Sequence, residues 1–255
     1  SNDNEVFITD TKEQDKERVR ELEELGVTFV ISDNPSDLLD DSYDIMVKNP
    51  GIKYDHPCVV KAKDMCIPVI NEVEVAYHYL NKDVNIIGVT GSNGKTTTTS
   101  IIYEIMKKAY GDKVVLAGNI GTPLCHYVKD IKSDSYLVME ISDHQLCDMY
   151  DFKTNVSVMT NIYECHTDFH DSHERYVNTK KKIFNNHTKD DIAIINKDNN
   201  EEVELTSDII SNKEYFSCNQ KCDCYYKDGY IYYNNEKYID TSKIVKTKDF
   251  TKPIE

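Results

Sequence analysis

Short apolar runs alternate with longer stretches of helical period along most of this chain. VFIT from Val6 and VTFVIS from Val27 have strand length. Between them KERVRELEELG sets Val19, Leu22 and Leu25 at about one turn, and Gly26 supplies a C-terminal stop. YDIMVK, the helix-like HPCVVKAKDMC and PVI carry the pattern to about Leu80, which predicts a small parallel α/β unit over residues 1–82. After the polar connector NKDV a second series opens over 83–255. It reads NIIGV strand, loop and helix to Tyr110, KVVLAG strand, PLCHYVKDI helix, SYLVMEI strand, NVSVMTN strand, ERYVNTKKKIFNNH helix and DIAIIN strand. Strands that are almost continuously apolar and separated by helices predict a mostly parallel sheet covered on both faces. The tail YYKDGYIYYNNEKYID instead alternates around Asp228-Gly229 and Asn234-Asn235, two hairpin turn signals, and predicts a small antiparallel meander.

Composition narrows the partners. The formal charge of −15, from 45 acidic against 30 basic residues, opposes broad attraction to nucleic acid or anionic membrane. An anionic ligand must therefore be held locally, by a loop, a few cations or a metal. No apolar run approaches a membrane span, and SNDNEV lacks the regions of a signal peptide, so a cytoplasmic location is expected; a monomer is the expected state. Eight scattered cysteines read as reduced thiols. Cys218, Cys222 and Cys224 offer three ligands with no second pair or nearby His, so they fit ordinary strand positions better than zinc.

The stretch VTGSNGKTTTTS, Val89 to Ser100, carries the chemistry. Gly91, Ser92, Asn93 and Gly94 lie between a buried strand and a helix that begins near Lys95, where backbone N–H groups and the helix dipole cradle phosphate. Val89 stands where the strict Walker pattern needs its first Gly, so the pattern is the shorter T-G-x-N-G-K-T-T, ending on Lys95, Thr96 and Thr97. Lys95 is placed to reach the β- and γ-phosphates, and the Thr96 hydroxyl to bind Mg²⁺. Glu140, ending SYLVMEI, should emerge at the carboxyl edge of the sheet beside that loop, as a hard oxygen ligand. His166, Asp168 and His170 follow NVSVMTN to the same edge; H-x-D-x-H is either a transition-metal site or a polar loop. Lys180 falls one turn from Tyr176 and Val177 on one side and Ile183 and Phe184 on the other, within the apolar stripe. An inward lysine has a lowered pKa and can react with carbon dioxide as the neutral amine.

TGSNGKTTTT resembles the nucleotide loop of the Mur ligases, ATP-dependent enzymes that add amino acids to the peptidoglycan precursor. KNPGI (48–52), NEVEVAY (71–77), AGNIG (117–121), MEIS (139–142), TNI with HTDFH (160–170) and YVNTK (176–180) agree in order, most closely with the D-glutamate-adding branch. The resemblance implies a Rossmann-like, UDP-sugar-binding first domain and a P-loop NTPase-like central domain. It implies ATP, two Mg²⁺ ions, UDP-N-acetylmuramoyl-L-alanine and D-glutamate as ligands, with amide formation through an acyl phosphate. It further makes His166 a ligand of the second Mg²⁺ and Lys180 a carbamylated one. Asp10, Thr11 and Lys12 would hold the uracil ring, Asn49 would lie near the diphosphate, and Asn119 and Ser142 would contact the muramyl substrate. Asn49 and Asn119 would then face the cleft between the two domains.

Two departures qualify that resemblance. The family usually continues Ser-Phe-Gln-Leu where this chain has Asp143 and His144 before Gln145 and Leu146. The family's first strand with its Gly-rich turn, and its C-terminal domain, have no counterpart in these residues, so partial binding without ligation is expected of them. The alternatives are a sibling ligase acting on muramoyl precursors or folate, and a non-catalytic nucleotide-binding module. A dehydrogenase lacks its G-x-G-x-x-G here.

Overall fold

The fold is given by a computed structural model that describes residues 4–164 and 167–243. The chain divides into two compact units, residues 1–70 and 71–255.

In the first unit β1 (Phe7–Asp10) and β2 (Thr28–Ile31) pair in parallel around α1 (Lys16–Glu24). Asp15 caps α1 by accepting the amides of Glu17 and Arg18. Val19 and Leu22 turn partly inward, but Leu25 closes the helix with 81% of its surface exposed, so the apolar stripe is one position shorter than its period predicts. β3 (Met46–Val47), α2 (Pro57–Asp64) and β4 (Val69–Ile70) complete the unit, with β3 parallel to β4. Its small core joins Ala62, Ile67 and Val69 to Leu39, Tyr43, Met46 and Met65.

The second unit starts with α3 (Glu72–Tyr79), which Asn71 caps. Val73, Ala76, Leu80 and Val84 sink into the second unit's main core. The helix expected to close the first unit therefore packs with the second, and NKDV is a turn inside that unit. β5 (Asn85–Thr90), α4 (Lys95–Tyr110), β6 (Val114–Gly118), α5 (Leu124–Tyr127), β7 (Tyr136–Glu140), α6 (Asp143–Leu146) and β8 (Val156–Met159) come next. Then come α7 (Thr167–His170), α8 (His173–Lys181), β9 (Ile192–Asn196), α9 (Asn200–Leu205) and β10 (Asn212–Ser217).

One nine-stranded sheet gathers these strands with β11 (Cys224–Lys227), β12 (Tyr230–Tyr233) and β13 (Glu236–Asp240), in the order β13-β12-β11-β10-β9-β8-β5-β7-β6. All pairs from β6 to β11 are parallel, and the last two are antiparallel hairpins. Asp228-Gly229 and Asn234-Asn235 take positive φ at both positions (48° and 83°, 49° and 69°), the handedness a tight hairpin needs. Register fixes the functional edge: Val89 and Gly118 both lie opposite Glu140, and Thr90 opposite Met159. The segments leaving the carboxyl ends of β5, β6, β7 and β8 therefore emerge on one side of the sheet.

Candidate functional site

The loop between β5 and α4 is braced from β8. Thr160 Oγ1 donates to Asn93 O at 2.7 Å, and Asn161 accepts the Asn93 amide at 2.9 Å while its own amide donates back to Asn93 O at 3.0 Å. Gly91, at φ 142°, lies so close that a Cβ would overlap the Thr160 hydroxyl and come within 3.1 Å of its backbone nitrogen. Gly94, at φ 81°, turns the chain into the start of α4. Lys95 folds back, its Nζ donating to Gly91 O at 2.9 Å and Ser92 O at 3.0 Å. An ammonium group thus sits at the mouth of the loop, at a helix N-terminus, where an anion is favoured. Thr97, also expected here, is exposed on the first turn of α4.

Beside the loop is a buried carboxylate. Glu140 is 2% exposed; the Thr96 hydroxyl donates to one of its oxygens at 2.7 Å and the Asn119 amide to the other at 2.9 Å. Gly118, at φ 100°, makes this approach possible, since a Cβ there would overlap Glu140 O, and the Asn119 amide nitrogen donates to that carbonyl at 2.8 Å. Among the described residues both carboxylate oxygens are answered by neutral donors. A buried negative charge of that kind is suited to a small hard cation.

Lys180 is fully buried, as its place in the apolar stripe predicts. Its Nζ donates to Gly91 O at 3.0 Å, lies 3.6 Å from Asp143 Oδ1, and sits 4.6 Å from the centre of the Tyr176 ring. The Tyr176 hydroxyl in turn meets Ser92 Oγ at 2.8 Å. Helix α8 thereby holds the phosphate loop at two points. Asp143 also accepts from His170 Nε2 at 2.7 Å and has His144 Nδ1 at 3.3 Å. Burial alone would raise its carboxyl, but the His170 hydrogen bond and the charges of Lys180 and His144 hold it well below the usual carboxylate range.

The remaining expected residues are local by comparison. The Ser142 hydroxyl caps α6, in a reciprocal pair with Gln145. In the first unit, Asp10 at the end of β1 accepts the Lys12 amide and the Gln14 side chain, and Thr11 and Lys12 are exposed beside it. Asn49 accepts the Gly51 amide in a side-chain turn, and buried Lys48 donates to Ile52 O at 3.0 Å. His166 lies outside the described residues. Thr160, Asn161 and Tyr176 join the site as well, although TNI and YVNTK do not by themselves distinguish them as site residues. For Thr160 and Asn161 the signal is a polar group just after a buried strand; Tyr176, within α8 after exposed Glu174 and Arg175, offers none.

The Mur ligase middle domain family matches residues 89–254. The UDP-N-acetylmuramoylalanine–D-glutamate ligase of Geobacillus sp. (strain WCH70) is 41% identical over 245 residues, covering 94% of this chain and 53% of that protein. The enzyme of the same name from Enterococcus hirae is 40% identical over 94% of this chain and 52% of its own length. The chain thus spans about half the length of the curated relatives it matches. The UDP-N-acetylmuramate:L-alanyl-gamma-D-glutamyl-meso-diaminopimelate ligase of Neisseria meningitides shares the fold at a TM-score of 0.54 and 14% identity, over 91% of this chain and 77% of that one. The UDP-N-acetylmuramate-alanine ligase of Thermotoga maritima does so at 0.50 and 21%, over 92% and 53%. Loop, sheet edge and sequence agree, and the chain belongs to the Mur ligase family.

Proposed function

We propose that this chain carries the nucleotide-binding part of an ATP-dependent ligase that joins D-glutamate to UDP-N-acetylmuramoyl-L-alanine in the cytoplasm, as a monomer. The observation that carries this reading is the convergence of Thr96 and Asn119 on buried Glu140, next to a loop with Lys95 folded into its mouth. The names of the relatives supply the substrates.

MgATP would supply the phosphoryl group that turns the substrate carboxylate into an acyl phosphate, leaving ADP, and the amine of D-glutamate would displace inorganic phosphate from the acyl carbon to form the amide. Lys95 and the amides of residues 91–97 would neutralise and orient the phosphates. Thr96 and Glu140 would hold a first Mg²⁺, the hydroxyl and the carboxylate being hard oxygen ligands that give up their 2.7 Å hydrogen bond to the ion. His166 and Lys180 would hold a second. An ammonium repels a cation, so Lys180 takes part as a carbamate, and its nitrogen must then exchange its contacts with Gly91 O and Asp143. Asp10, Thr11, Lys12 and Asn49 would serve the uridine diphosphate end of the substrate. Asn119 and Ser142 would serve the muramyl end.

The test is phosphate release by the purified full-length protein with ATP, Mg²⁺, UDP-N-acetylmuramoyl-L-alanine and single amino acids. Release that depends on D-glutamate is expected. Equal or better release with another amino acid would favour a sibling ligase, and nucleotide binding without release would favour a non-catalytic module.

A further inference from the structure

We propose that Glu74, His78 and Asp151 form a zinc site that clasps helix α3 to the segment leading into β8. Two of the ligands stand one turn apart on α3, so their side chains share a face. His78 Nε2 lies 3.6 Å from Glu74 Oε1 and 3.4 Å from Asp151 Oδ2, and all three ligand atoms lie within 4.8 Å of one another. Bonds of about 2.1 Å to a tetrahedral ion put neighbouring ligands about 3.4 Å apart. An octahedral magnesium site would ask for about 3.0 Å. The imidazole adds a nitrogen donor, which suits zinc rather than magnesium or calcium.

The surroundings hold the buried ligand in place. Glu74 is 1% exposed, and its two oxygens accept the backbone amides of Asp151 and Phe152 at 2.6 and 3.2 Å. Those bonds fix the carboxylate, and each oxygen keeps a further lone pair. Tyr77 packs edge-on against Phe152 at 5.4 Å, so helix and segment are already in place before an ion arrives. His78 and Asp151 are 52% and 69% exposed, which gives an ion access and leaves the fourth position to water. Two carboxylates and a neutral imidazole balance the charge of Zn²⁺. The place is the amino edge of the parallel sheet, ahead of β8, whereas the phosphate loop leaves the carboxyl end of β5 beside it. The site is therefore separate from the nucleotide chemistry.

An imidazolium would also satisfy both carboxylates, and titration separates the two cases. Chelator-treated protein should bind one Zn²⁺ per chain by calorimetry and show a higher Tm with it. Bound Co²⁺ should give the visible bands of a four-coordinate ion without the near-ultraviolet absorption of a thiolate ligand. His78→Ala and Asp151→Ala, both at exposed positions, should each weaken Zn²⁺ by about tenfold or more and abolish the Tm rise. MgATP binding should be unchanged in both, and Cys222→Ser should bind Zn²⁺ like wild type. No zinc binding, binding unaffected by either α3-site substitution, or a cobalt spectrum with thiolate absorption that Cys222→Ser removes would overturn the proposal.

Discussion

Lys95 and Thr96 are adjacent in sequence but serve different groups, the ammonium facing the carbonyls of the loop and the hydroxyl facing Glu140. Glu140→Gln keeps the shape and both hydrogen-bond partners but removes the charge. The full-length protein should then need more Mg²⁺ for the same rate of the proposed ligation, and a loss that added Mg²⁺ cannot offset would count against a metal role. Lys180 and Lys181 can be told apart in the same way. In the full-length protein Lys180→Ala should nearly abolish the proposed ligation, with partial recovery on adding a small carboxylate that fills the place of a carbamate. Lys181 pairs with Asp208 at the surface, so Lys181→Ala should leave ligation by the full-length protein intact and its denaturation curve close to wild type. Equal loss of turnover at both would remove the special standing of Lys180. The inward direction of Lys180 was legible in its 3–4 spacing from Tyr176 and Ile183, and Glu140 in its place at a strand end. The tie of Asp143 to Lys180 and His170 was not legible, because it joins α6, α7 and α8 across distant sequence.

Among the elements, α9 carries a group whose titration should be visible in stability. Glu202 is fully buried; one oxygen accepts the Asn196 amide at 2.7 Å and the other has no partner among the described residues. Burial pushes its carboxyl up from 4.5 to about 8. With the folded value above the unfolded one, the native state holds the proton longer. Stability is then fully present below about pH 4.5 and falls as pH rises toward about 8, by at most about 1.4 kcal/mol per pH unit. Glu202→Gln should flatten that slope in urea curves measured from pH 5 to 8; an unchanged slope would refute the assignment. In the phosphate loop, Gly91→Ala should impair folding or nucleotide binding, since φ 142° and the overlap with Thr160 both exclude a Cβ. Wild-type stability and affinity in that variant would contradict the packing described. The two hairpins were readable because Asp-Gly and Asn-Asn state their turn type locally. β10, whose NKEYFS is mixed in character, and the one-turn helix α6 were not, since tertiary pairing and a capping box decide them.

For the whole molecule, the alternation of apolar strands with helices was enough to anticipate a parallel sheet and a single functional edge. The polar connector NKDV was a misleading boundary, because polarity marks exposure and cannot show on which core α3 rests. With a net charge of −15, the chain can hold a polyphosphate only where local donors outweigh the general repulsion. The loop, Lys95 and a metal at Glu140 are the groups that could do so. Calorimetric titration of MgATP into residues 1–255, beside Lys95→Ala and Thr96→Ala, tests that claim most directly. Mg²⁺-dependent binding to the wild type is expected, and both substitutions should abolish or severely weaken it. Binding of equal strength in all three proteins would contradict it.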